Sequence, residues 1–64
     1  MLKYMVIDYD IFDHSTAVFN DDLETAKEYA ESMAASDLIL EVEFYERLEV
    51  LGAQRIYQMV KRYK

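Results

Sequence analysis

Apolar and polar residues alternate over two stretches of this chain, while over a third the apolar ones recur at helical steps. In Leu2 to Tyr9, Met5, Ile7 and Tyr9 fall on one face of an extended chain and Tyr4 and Val6 on the other. This β-branched and aromatic run predicts a strand buried on at least one side. Asp10 to Ser15 is polar and turn-like, and Thr16 to Phe19 resumes the β pattern, so the two runs predict a hairpin. From Asn20 the period changes. Asn20 or Asp21 can accept from the orphan N–H groups of a helix start, and Asp21 with Glu24 has capping-box spacing. A helix to about Ala35 follows, with Leu23, Ala26, Ala30, Met33 and Ala34 on one face.

After Asp37 the period returns to two. Leu38, Leu40, Val42 and Phe44 take every second place, with Glu41, Glu43 and Tyr45 between them, which predicts a half-buried strand over 38–45. Alternation stops at Glu46 and Arg47, and Gly52, the sole glycine in a chain without proline, predicts a bend at 50–53. Ile56, Met59, Val60 and Tyr63 suit a helix, but a strand over 55–63 is favoured, because it gives the 38–45 strand a neighbour. The expected fold is therefore α+β: a small antiparallel sheet in the order ββαββ, hairpin, helix, hairpin, with the helix on one face. The alternative is ββαβα, with a helical C-terminal segment.

Sixty-four residues allow a single domain, 1–64, with one modest core, and the absence of cysteine excludes disulfides and thiolate metal sites. A content of 53 % hydrophobic residues, with six tyrosines and three phenylalanines, is too rich for disorder despite a formal charge of −6. The N-terminal apolar run is interrupted by Lys3 and Asp8, far short of a membrane span. These features predict a soluble cytoplasmic protein with no membrane partner. Residues 1–49 carry all 13 acids against three bases, a net of −10, whereas residues 50–64 carry four bases and no acid. That balance opposes direct nucleic-acid binding, although Tyr57, Lys61, Arg62, Tyr63 and Lys64 mix aromatic and basic side chains as single-strand binders do.

On the predicted helix, Asp21, Glu24, Glu28 and Glu31 fall within an arc of about 80° at 100° per residue. The helix dipole gives first-turn acids a structural reason, and Glu28 and Glu31 have less of one. Together with Glu41, Glu43 and Tyr45 of the strand, these acids are the candidate partner-binding residues. Proteins that bind DNA carry basic clefts, and an array of carboxylates can occupy one. Acids that simply keep a small apolar protein soluble are the competing explanation.

Two motifs suggest catalysis or metal binding. YMVIDYDIF, an apolar strand ending in Asp8, Tyr9 and Asp10, resembles the nucleophile motif of the haloacid dehalogenase-like phosphatases. That resemblance implies Asp8 as nucleophile, Asp10 as acid or base, and magnesium beside them. The rest of the family pattern is missing: the chain is too short for the doubly wound sheet, and no pair of aspartates follows a later strand. Asp8, Asp10, Asp13 and His14 form a second candidate, a hard-metal loop, since oxygen ligands spaced by two residues, as Asp8 and Asp10 are, can face one cation. An EF-hand starting at Asp8 requires glycine sixth and glutamate twelfth, where the sequence has Asp13 and Phe19. No enzyme activity, metal or cofactor is therefore expected.

Over the whole chain, MLKYMVIDYD, FNDDLETAKEYAE and RIYQMVKRY in a hairpin, acidic helix, hairpin order look like the small early proteins that bacteriophages make to redirect or inhibit host enzymes. The resemblance implies a non-enzymatic inhibitor or adaptor acting in the host cytoplasm. Its partner would be a host protein, a nucleic-acid-binding protein or enzyme, whose basic groove the acids fill, with imitation of DNA as one form of this. A homo-oligomer, such as a homodimer paired through an exposed strand edge, is the alternative.

Overall fold

The computed structural model describes residues 2–48 and 56–64; the expected bend at 50–53 lies outside them. Four strands and one helix follow in the order β1 (Tyr4–Asp10), β2 (Ser15–Asn20), α1 (Leu23–Ala34), β3 (Ile39–Arg47) and β4 (Tyr57–Arg62). The strands form one antiparallel sheet ordered β2-β1-β3-β4, so the fold is ββαββ and the C-terminal segment is a strand. The helical alternative fails because β4 supplies ladder partners to β3. Leu48 N–H donates to Ile56 O at 2.8 Å, and Tyr63 N–H to Val42 O at 2.8 Å.

Burial follows the two-residue period on β1 and β3. Tyr4, Val6 and Asp8 stand opposite Glu46, Phe44 and Val42 on the face that α1 covers. The core is Tyr4, Val6, Ala26, Ala30, Ile39, Val42 and Phe44, with Tyr29, Met33, Ala34 and Tyr63 packed around it. Ala26 and Ala30 are almost wholly buried, and with only a methyl group at each contact the helix sits close to the sheet.

Three local expectations are corrected. Leu38 and Leu40 are about half exposed, and Ile39 is buried instead. The β1–β3 register shifts between Tyr9 and Asp10, so that Tyr9 faces Glu41 while Asp10 faces Ile39. Leu40 is the extra residue of a bulge, which reverses the alternation before it. The cap is Asp22, one residue later than expected: its carboxylate accepts from Thr25 N–H at 2.9 Å and Thr25 Oγ1 at 2.7 Å. Those bonds hold its pKa below the usual value, chiefly through the Thr25 hydroxyl. Asn20 and Asp21 serve the approach, accepting from Asp22 N–H and Lys3 N–H respectively. Leu23, expected on the core face, is 38 % exposed because it lies at the flank of the helix contact.

The basic C-terminal residues are largely engaged within the fold. The last turn of α1 has no basic residue of its own, and Lys64 Nζ donates to Ser36 O at 2.9 Å just beyond it. This places a positive charge at the negative end of the helix dipole. Arg62 pairs with Glu41 and Glu43, and the Lys61 ammonium lies 4.5 Å from the centre of the Tyr63 ring.

Candidate functional site

Because α1 packs over β1 and β3, the helix-side face of β4 is left open and a groove runs between α1 and β4. It has a volume of about 500 Å³. Tyr4, Phe44 and Tyr63 form an aromatic floor, with ring centres 5.7 Å apart for Tyr4 and Phe44 and 6.1 Å for Phe44 and Tyr63. Leu23 and Val60 form the walls, and Lys27, Glu31, Glu46 and Lys61 the rim. Val60 reaches the groove beside Lys61 because the β3–β4 register shifts at Phe44 and Tyr45. An apolar floor with a charged rim suits an extended or helical segment that carries one apolar side chain inward.

The expected site residues divide into two groups on opposite surfaces. Leu23, Lys27 and Glu31, at successive four-residue steps, line the groove, while Glu24 and Glu28 point outward from the exposed side of α1. Among the described residues, no ion pair or hydrogen bond to another side chain engages Glu24, Glu28 or Glu31. Asp21 precedes the helix and binds Lys3 N–H. Glu41, Glu43 and Tyr45 lie on the uncovered face of the sheet. There Arg62 approaches Glu41 to 2.7 Å and Glu43 to 3.6 Å, and Tyr45 OH donates to Glu43 at 3.2 Å. Burial, then the Glu43 bond and charge, push the Tyr45 hydroxyl pKa up, against a smaller opposing effect of Arg62. The two strand acids thus share one cation, whereas the outer helix acids have no ion-pair partner among the described residues.

Sequence reasoning did not find the groove residues as a group. Tyr4, Phe44 and Tyr63 are far apart in the chain: Tyr4 and Phe44 sit at core-facing strand positions and Tyr63 just beyond the end of β4.

The DYD motif is drawn into the fold. Asp8 is 5 % exposed beneath the helix and accepts from Tyr29 OH at 3.3 Å. Asp10 closes the β1–β2 turn, accepting from Phe12 N–H at 2.8 Å and His14 N–H at 3.0 Å. Asp13 accepts from Tyr9 OH and holds the turn with a φ of 66°, a region that aspartate tolerates better than most residues. No group of three His, Cys, Asp or Glu side chains among the described residues is placed to hold a metal ion. No helix among them is long and apolar enough to cross a membrane.

The Asp8–Tyr29 pair predicts a pH response. Burial, then the charge of Asp8, then the bond to it raise the Tyr29 pKa above its ordinary 10.0. A raised folded-state value means that the folded chain keeps the proton longer than the unfolded one. Its contribution to stability is therefore complete below pH 10 and is lost as pH rises through the folded value. Tyr9 and Tyr45 are raised too and act in the same direction. Urea titrations are expected to show stability falling above pH 10, with Tyr29→Phe reducing the slope. At neutral pH the same variant should lose about 1 kcal/mol, since Asp8 is left buried without its donor. An unchanged alkaline slope would detach Tyr29 from Asp8.

No family model, curated protein or solved structure matches this chain.

Proposed function

We propose that this chain is a non-enzymatic protein-binding inhibitor or adaptor that engages a basic surface of another protein through the outer face of α1. The observation that carries this reading is the contrast between the two acidic groups. Glu41 and Glu43 share Arg62, whereas Glu24, Glu28 and Glu31, spread over about 10 Å of helix, have no ion-pair partner among the described residues. Association with lysine or arginine side chains would satisfy them, and the adjoining groove offers an apolar anchor beside Glu31. Asp21 adds charge at the start of the row, while Glu41, Glu43 and Tyr45 form a separate surface.

Imitation of duplex DNA is the weaker form of this proposal. A duplex places about six charges along 10 Å of axis at one per ~1.7 Å, about twice what the three glutamates supply. The style of the chain, like that of phage early proteins, favours a host nucleic-acid-binding protein or enzyme as partner.

The test begins with affinity capture from a host lysate at low and high salt, with mass spectrometry of the retained proteins. Glu28→Lys/Glu31→Lys is expected to weaken binding of the purified partner by at least about tenfold, or 1.4 kcal/mol, without changing the circular dichroism spectrum. Affinity should fall as salt rises, and duplex DNA should compete if the partner's groove is a DNA site. Unchanged affinity in the double variant would remove α1 from the interface.

A further inference from the structure

The two outer strands of the sheet differ in how they are protected against pairing. β4 carries Lys61 and Arg62, and its ladder with β3 is broken by a register shift. Charges and bulges of this kind discourage a further strand from adding to an edge. β2 has neither. Its sequence, STAVFN, contains no charge and no proline, and its register with β1 is unbroken from Tyr4–Asn20 to Tyr9–Ser15. Most of its side chains are exposed, with Phe19 at 43 %. In a chain of net charge −6, a neutral edge is where two copies can approach with the least repulsion.

We infer that β2 is a self-association edge, and that two copies pair antiparallel through it about a two-fold axis at Val18. Paired residues in an antiparallel ladder point to the same face, so the register must match residues of like parity. Centring on Val18 sets Ala17 of one copy against Phe19 of the other on the uncovered face, small against large. It also sets Thr16 against Asn20 on the helix face. Centring on Ala17 would oppose Phe19 to Ser15 and leave the ring without an apolar partner. The Val18 register brings His14, whose side chain is 74 % exposed, opposite Asp22 of the second copy. The product is an eight-stranded sheet with both helices on one face. The helices, over β1 and β3 of each copy, are separated by about four strand spacings, roughly 19 Å, and do not collide.

The five ladder pairs that β2 supplies in this register, over Thr16 to Asn20 of each copy, make a small interface beside the ~1,200–2,000 Å² of stable complexes, so association is weak and depends on concentration. Salt strengthens it by screening the like net charges, the opposite of its effect on an acidic face bound to a basic partner. The chain has no cysteine, so one substitution reports the axis: Cα atoms paired across it lie about 4.5–5.5 Å apart, within disulfide reach.

Sedimentation from micromolar to millimolar protein should show the mass rising from one chain towards two, more so at high salt. Ala17→Lys should hold it at one chain while the circular dichroism spectrum is retained. Under mild oxidation Val18→Cys should form a covalent dimer and Met59→Cys on β4 should not. A wild type that remains one chain at millimolar concentration in high salt overturns the proposal. A dimer that crosslinks through Met59→Cys but not Val18→Cys does the same.

Discussion

Phe44→Ala is expected to remove between about a third and all of the stability of this chain. Phe44 is 3 % exposed, lies under α1 and touches the rings of Tyr4 and Tyr63. Truncating a buried phenylalanine costs about 3–5 kcal/mol, the lost transfer energy plus the cavity left behind. At about 0.05–0.15 kcal/mol per residue, a 64-residue domain has only about 3–10 kcal/mol to lose. In urea titrations followed by far-ultraviolet circular dichroism, the midpoint should fall to low denaturant, or the folded baseline should vanish. Val60→Ala, at a 58 % exposed position on the same groove, should shift stability by no more than about 0.5 kcal/mol. A loss below about 1 kcal/mol for Phe44→Ala would mean that this ring is not central to the core.

The second large effect is expected from adding volume. Ala30 is fully buried and Ala26 nearly so, and their methyl groups set the distance between α1 and the sheet. Ala30→Phe must either lift the helix or force neighbouring side chains off their rotamers. Its cost should lie at or above the upper end of the ~1–3 kcal/mol typical of overpacking. Ser32→Leu, which adds a large apolar group at an exposed position of the same helix, should be close to neutral. If Ala30→Phe proved equally neutral, close packing of helix on sheet would be refuted. Partner capture by the Ala30→Phe protein would also test whether the helix acids act only when α1 is seated.

The alternation of Tyr4, Val6, Val42 and Phe44 was legible because it reflects burial on one face, which every residue of a strand must obey. Ile39 was not, because the bulge that turns it inward and Leu40 outward belongs to the pairing of two strands distant in the chain. The helix cap falls at Asp22, one residue beyond the positions the spacing predicts, for a simpler reason. Asn20, Asp21 and Asp22 are all competent acceptors, and only the path from β2 into α1 selects Asp22.

For the candidate site, the acids themselves are legible in the sequence, and their arrangement follows from the layering of helix on sheet. A helix that covers Val42 and Phe44 must leave Glu41 and Glu43 on the far side of the sheet. Its own polar residues must point away on the near side. A two-layer fold therefore places the two acidic groups on opposite surfaces. The sequence by itself determined the periodicities, the single small core and the surplus of acid in the first 49 residues, since these depend on local pattern and composition. Only the tertiary structure decided that β4 completes the sheet, that Arg62 pairs with the strand acids and that a groove opens beside Glu31. Each of these needs two segments far apart in sequence to meet at a defined register, which no local signal encodes.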